Sequence, residues 1–384
     1  MTALADARPT ALDPLALADS HRQREDFARI LAGEHQGRVK ASSSRRRTRI
    51  VPVGALATLA ASAVAVSVLI EQGTHQTAST GESAPRPSLT AAPLSGRLQL
   101  LAAAKEAEAS AKNGTYWQVT TQTQDVEVVG NPGRRYSLRS TGTDLWSVGV
   151  RPGTGSLLVS GLNASTQPRA AADTRRWQED GSPRQVDSPM KLGSPVQLRH
   201  VLGESRPTVM HTNAGNKIYA LGPNNVSYQD LQQLPTNTEQ LRAKLLALYA
   251  QDDGADALTE WMLHQTAGLI TMPVKPGTRA AAYRLIASLP GIKINASATD
   301  PLGRKGVGIT LPVKAATLLG SQEELLVVDP SNGDLLSDQY LLVKPSDFAQ
   351  DAGLKGGSTV NYEATTRMAW SNHQITVPKN AKQD

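Results

Sequence analysis

Cysteine is absent from all 384 residues, which removes disulfides, thiolate metal sites and cysteine nucleophiles together. Aromatic residues amount to only 4%, so any core has to be built from Val, Leu, Ile and Ala. There is no Gly-x-Ser-x-Gly elbow, and no serine stands out as a nucleophile. The histidines at 21, 35, 75, 200, 211, 264 and 373 never fall at the i, i+4 spacing of a zinc-binding helix. His264 reads as a satisfied core or surface histidine. The glycines of LGRKGVGITL and VGVRPGTGS lack the spacing of a dinucleotide or Walker loop and read as hairpin turns. Asp252, Asp253 and Asp256 lack the twelve-residue calcium-loop pattern, so capping is their expected role. The sequence therefore nominates no catalytic residue, no cofactor and no metal ligand.

Long apolar runs are also missing, with one exception. Ile50 to Ile70 (IVPVGALATLAASAVAVSVLI) carries no charged side chain. At the helical rise it is about 31 Å long, the thickness of a bilayer's hydrocarbon core. Arg38, Lys40, Arg45, Arg46, Arg47 and Arg49 precede it, with no acid after Glu34, whereas Glu71 follows it. The expectation is a single transmembrane helix over 50–70 flanked by Arg45, Arg46, Arg47 and Arg49, with residues 1–49 cytoplasmic and the remainder extracytoplasmic. A signal peptide cleaved near Ala63-Val64-Ala65 is the competing reading, against which stand the 49-residue leader and the length of the run. Residues 1–49 hold ten Lys+Arg against six Asp+Glu, so most of the net charge of +6 sits beside the bilayer. Anionic lipid explains that cluster, and no aromatic residues interleave it as nucleic-acid binding would require.

Within the cytoplasmic tail, Phe27, Ile30 and Leu31 fall at i, i+3, i+4 and form a possible docking face on a short amphipathic helix. Residues 71–96 are rich in Ser, Thr, Pro, Gly and Ala and read as a flexible linker. Residues 97–375 read as an extracytoplasmic α+β domain, and 376–384 as a loose tail. A helix is expected from Arg97 to Lys112. Strands are expected at 116–129, 135–140, 145–150, 156–160, 197–202 and 217–221. Three helices follow: one behind a capping box at Thr236-Asn237-Thr238-Glu239, one carrying Leu258, Trp261, Met262 and His264, and one from Pro276-Gly277 to Leu289. Strands return at 292–298, 306–311, 323–328, 334–343 and 359–370, with Asn332-Gly333 turning a hairpin.

Three stretches carry a resemblance: Arg279 to Tyr283 running on to Leu289-Pro290-Gly291, Asp300-Pro301-Leu302-Gly303-Arg304-Lys305-Gly306, and Val328 to Leu336 with its Asp329-Pro330-Ser331-Asn332-Gly333-Asp334 core. With Ala7-Arg8-Pro9, Leu12-Asp13-Pro14, the arginine-flanked anchor and Tyr116-Trp117, the chain resembles uncharacterised actinobacterial single-pass membrane proteins often encoded beside extracytoplasmic-function sigma factors. The resemblance implies a non-enzymatic envelope sensor or regulator, anti-sigma-like, whose tail meets a sigma factor or another cytoplasmic protein and whose outer domain binds a ligand or partner. It brings no catalytic residue. The zinc-binding class of anti-sigma domain has a His-x-x-x-Cys-x-x-Cys element that a cysteine-free chain cannot supply, so contact would fall to the short apolar helix face. The order helix, strands, helices, strands is similar to lipoprotein carriers, in which a curved antiparallel sheet carries helices on one face. By that analogy the alternative is a membrane-anchored envelope carrier that binds lipid without signalling.

Overall fold

The computed structural model describes residues 95–109, 113–151, 154–188, 199–212, 217–252 and 257–383. The 50–70 run, the arginines at 45, 46, 47 and 49, the Phe27, Ile30 and Leu31 face and nearly all of the 71–96 segment lie outside the described residues. Among the described residues, no helix is long and apolar enough to cross a membrane.

An eleven-stranded sheet organises the chain. It begins after helix α1 (Gly96–Ala109) with three long strands in meander order, β1 (Tyr116–Val129), β2 (Tyr136–Gly149) and β3 (Ser156–Pro168). Helix α2 (Ala171–Glu179) follows, then the short strands β4 (Gln185–Asp187), β5 (Arg199–Val201), β6 (Gly203–Glu204), β7 (Thr208–Thr212), β8 (Tyr219–Leu221) and β9 (Asn224–Val226). A helical block comes next: α3 (Tyr228–Gln232), α4 (Thr238–Tyr249), α5 (Leu258–Thr271) and α6 (Pro276–Ile286). The second half of the sheet is β10 (Lys293–Thr299), β11 (Lys305–Pro312), β12 (Gly320–Val328), β13 (Leu335–Pro345) and β14 (Thr359–Ser371), with α7 (Asp347–Asp351) before β14 and β15 (Lys382–Gln383) at the end. The order across the sheet is β10-β11-β12-β13-β14-β1-β2-β3-β7-β15, with β6 beside β3. Every pairing is antiparallel except that of β15 with β7. The two halves of the chain join where β1 meets β14.

Local chemistry explains the boundaries. Asn237 caps α4 by accepting from the Glu239 N–H, and Ser227 with Asp230 closes a reciprocal capping box on α3. Pro276 opens α6 at a position where its missing N–H costs nothing. In the β12–β13 hairpin, Asp329 accepts from the Ser331 N–H and hydroxyl, and Gly333 takes φ +72°. A Cβ at Gly333 would lie 2.7 Å from the Ala103 carbonyl oxygen, so α1 packs directly on this turn.

One face of the sheet carries α1, α4, α5 and α6. Its core joins Leu100 and Ala104 of α1, Leu241 of α4, Trp261 and Leu263 of α5 and Leu285 of α6 to strand residues such as Leu158, Ile309 and Leu326. Eleven of the fourteen α5 residues are buried, making it the central helix of this layer. Its last carbonyls are satisfied from outside the helix: Trp117 Nε1 donates to the Thr271 oxygen at 2.7 Å and Arg279 Nη2 to the Met272 oxygen at 3.0 Å. The Arg279 guanidinium also lies over the Trp117 ring, and burial pulls its pKa down. On the opposite face Val126, Val128 and Val360 pack with Ala349, Ala352 and Leu354 in and after α7.

Several expectations need correction. The strands expected at 135–140 and 145–150 are one strand, β2, because its ladder with β1 runs unbroken through Thr141-Gly142-Thr143. Strand β3 extends to Pro168, beyond the expected end at 160. Thr236 is not part of a capping box, since Asn237 is the cap. Helices α2, α3 and α7 were not anticipated. Residues 376–384 were expected to be loose, yet Val377 and Ala381 pack with Leu157, Val159 and Val209, and β15 adds to the sheet.

Candidate functional site

Antiparallel register decides which side chains share a face, because directly opposed residues point to the same side. One cross-strand row runs Glu324, Tyr340, Asn361, Asp125, Ser140. The next runs Leu326, Asp338, Glu363, Thr123, Gly142. His264 of α5 reaches the first row, with Nε2 3.0 Å from Glu324 Oε2 and 3.3 Å from the Tyr340 hydroxyl. These rows therefore face the helix layer, and Glu127 and Asp144 extend the same face above and below. Across β1, β2, β12, β13 and β14 it carries the carboxylates of Asp125, Glu127, Asp144, Glu324, Asp338 and Glu363, and no helix-facing position in these rows is Lys or Arg.

Individual members are held by specific donors. Asp144 Oδ1 accepts from the Ser160 hydroxyl at 3.0 Å and the Gly161 N–H at 2.8 Å. Asn361 donates to Asp125, and Ser188 to Glu127 at 3.1 Å. Glu324 is fully buried and His264 is 5% exposed. Glu324 Oε1, however, has no hydrogen-bond partner, and neither does Gln322 Oε1 two residues earlier on the same face. A buried acceptor left unmade costs about 1–3 kcal/mol, which marks this end of the row as the place where the fold withholds a donor. Asp125, Asp338 and Glu363 are only half-buried, so the face opens towards the centre of the sheet.

A second constellation sits beside Glu127. The Ser188 hydroxyl lies 3.1 Å from His200 Nε2 as well as 3.1 Å from Glu127 Oε2. The residue types are those of a hydrolytic triad, but the carboxylate touches the serine. A triad needs the carboxylate on the imidazole, so that the ring can take the serine proton. Here the Ser188 hydroxyl donates a hydrogen bond to Glu127, and His200 Nε2 lies against the same serine oxygen.

His264 matches its expected role as a satisfied core histidine, and Asp252 is a structural acceptor, taking the Trp261 indole N–H at 2.9 Å. The turn expectation holds only in part: Gly303 lies in the β10–β11 turn and Gly155 just before β3, whereas Gly306 and Gly308 lie within β11 and Gly149 ends β2; Gly153 lies outside the described residues. The three stretches of the resemblance meet in space. Tyr283, fully buried, donates to the Gly333 carbonyl at 2.8 Å. Arg304 pairs with Asp300 and donates to the Leu336 and Thr365 carbonyls at 2.7 Å each. They form a structural hub tying α6 and the β10–β11 turn to β13 and β14.

The acidic face was missed by sequence reading, although a signal existed. Asp125-Val126-Glu127-Val128 alternates acid with valine, which places the acids on one face. Ordinary reading would have turned the valines inward to the main core. Comparison of the chain with protein-family models, curated proteins and solved structures finds no match in any of the three.

Proposed function

We propose that this protein is a non-enzymatic, single-pass membrane regulator of the envelope, with an outer α+β domain that binds a ligand or partner and a cytoplasmic tail that reports it. The observation that carries the reading is the polar, half-open row between sheet and helix layer, built like a binding face, with two unused acceptors at one end. We read the sheet as curved around the helices, after the manner of lipoprotein carriers. Register breaks between β1 and β14, β2 and β3, β12 and β13, and β13 and β14 supply the bends such curvature needs. Six carboxylates on the helix-facing side are a poor lining for acyl chains, which weighs against the lipid-carrier alternative.

The apolar run at 50–70 and the arginines at 45, 46, 47 and 49 support the membrane half of the reading. Phe27, Ile30 and Leu31 would present the docking face to a sigma factor or another cytoplasmic protein. Because the chain has no cysteine, single cysteines report topology cleanly. In intact cells a membrane-impermeant maleimide should label Ser79→Cys and spare Ser43→Cys; the reverse pattern, or labelling of both, removes the proposed orientation. Crosslinking the full chain in its native membrane should then recover a cytoplasmic protein, and should lose it when Phe27, Ile30 and Leu31 are changed to Ser. Recovery unaffected by that change sinks the signalling half.

A further inference from the structure

Helix α1 is the first described element after the apolar run at 50–70, and part of its outward side is apolar. Leu100, Ala103, Ala104 and Ala107 turn inward and are buried. Leu98 and Leu101, three residues apart and so on one side of the helix, are 52% and 38% exposed. At about 100° of rotation per residue, Lys105 falls between the two leucines around the axis, and Arg97 lies about 40° beyond Leu101. Both cations are exposed. The acids of the helix do not offset them: Glu106 sits about 80° from Leu98 on the far flank, and Glu108 is taken by Arg284 at 2.5 Å. Gly96 seats this first turn on the edge strand β10, where a Cβ would lie 2.8 Å from the Ala296 nitrogen. Lys293, exposed at the start of the same strand, adds a third cation to that edge.

Twenty-five residues, 71 to 95, separate Ile70 from Gly96. An unstructured chain of that length has a root-mean-square span of about 25–30 Å, so an anchor at 50–70 brings α1 to the bilayer ahead of the rest of the domain. At the effective concentration such a tether sets, a weakly binding face is enough. Leucines framed by cations fit the boundary between acyl chains and anionic headgroups. We propose that the first two turns of α1 rest on an anionic bilayer surface, Leu98 and Leu101 entering the headgroup layer while Arg97, Lys105 and Lys293 face lipid phosphates. This step rests on reading 50–70 as a membrane anchor. It gives the outer domain a fixed side towards the membrane, with the β10 edge down.

The test uses the full chain reconstituted into vesicles of phosphatidylcholine and phosphatidylglycerol in equal parts, or of phosphatidylcholine alone, with a lipid spin-labelled near its headgroup as quencher in both leaflets. The chain has no cysteine, so a fluorescent maleimide attaches singly at Ala102→Cys, beside the leucines, or at exposed Gln178→Cys on α2, which packs at β2 and β3. In the mixed vesicles quenching at Ala102→Cys should exceed that at Gln178→Cys at least threefold. It should fall to the Gln178→Cys level when Leu98→Ser and Leu101→Ser are added. Arg97→Gln with Lys105→Gln, raised salt, or phosphatidylcholine alone should each at least halve it. Equal quenching at the two sites overturns the proposal, as does quenching at Ala102→Cys that survives the serine substitutions. A blue-shifted dye without quenching also overturns it, since copies of the chain would then be covering one another. Circular dichroism checks each variant, and if the serine pair fails to fold, the charge substitutions and the salt series decide. Alkaline carbonate extraction tests the anchor separately. Resistance to extraction without quenching rejects the α1 contact alone, whereas extraction of a chain that is quenched as expected rejects the anchor alone.

Discussion

Replacing Tyr283 with Phe removes one oxygen atom from a fully buried position and leaves the ring in place. The lost group is the donor to the carbonyl of Gly333, 2.8 Å away, a residue that is itself buried. A typical hydrogen bond contributes about 0.5–1.5 kcal/mol net, and an orphaned buried acceptor raises the cost to about 1–3 kcal/mol. Ring packing changes little, so a loss of about 2 kcal/mol is expected. For a domain of about 280 residues that lowers the melting temperature by about 3–4 °C, to be read by scanning calorimetry on the full chain and checked by urea denaturation. Gly333→Ala should cost more, because the added Cβ would meet the Ala103 carbonyl at 2.7 Å and the Ala107 Cβ at 2.9 Å, at a backbone φ of +72°. That clash drives the turn away from α1 and from Tyr283. In the Gly333→Ala background Tyr283→Phe should therefore add less than about 0.5 kcal/mol, a clear departure from additivity. A melting shift within error for Tyr283→Phe, together with additive behaviour in the double variant, would refute the hub.

Arg304→Met leaves the fully buried Asp300 carboxylate without its cation and the Leu336 and Thr365 carbonyls without a donor; a loss of about 3–5 kcal/mol in urea denaturation is expected, partly recovered by Asp300→Asn in the same chain. Burial raises the pKa of Tyr136, with Asp180 adding to it, and burial raises those of Tyr219 and Tyr283. Above the unfolded value of about 10 the folded state then holds more protons than the unfolded one. Tyrosine-linked stability is thus complete below about pH 10 and falls as pH rises beyond it. Absorbance at 295 nm should show these tyrosines ionising only together with loss of the far-ultraviolet signal, and a separate earlier ionisation contradicts their burial. Trp117→Phe deprives the Thr271 carbonyl of its donor and Arg279 of an indole face. About 1–3 kcal/mol should be lost, with faster amide exchange confined to the last turn of α5 as the local readout.

Much of the fold was legible where periodicity and turn chemistry agreed. Strand β1 announced itself by alternation, α6 by Pro276 at its start, and the β12–β13 hairpin by Asp329 to Asp334. Strand β2 was split because Thr141-Gly142-Thr143 looks like a break in isolation, and the ladder to β1 overrides that weak local preference. Helix α2, sequence AADTRRWQE, shows no apolar stripe; it is anchored by Trp177 against Tyr136 and Leu138, by buried Asp173 accepting from the Ser137 N–H and by Arg176 donating to the Arg135 and Asp351 carbonyls. The site was less legible than the fold. Asp125, Glu324, Asp338 and Glu363 are scattered over most of the outer domain, and only strand order and register bring them together. No motif could mark such a site, because its geometry belongs to the sheet.

The position of β1 has a consequence for how the molecule is made. Among the described residues it is the first strand in chain order, yet it lies in the middle of the sheet, hydrogen-bonded on one side to β2 and on the other to β14, the last long strand. A nascent chain can zip β1, β2 and β3 into a meander early. The second edge of β1, fourteen residues long, stays open until Thr359 to Ser371 arrive. An open edge of that length is a template for pairing with other chains. Fragments that stop before β14 should accumulate as aggregates, however well their own helices form, whereas supplying β14 as a separate peptide should rescue them. Synthesis of this protein is thus a race between β14 and every stray strand that could take its place.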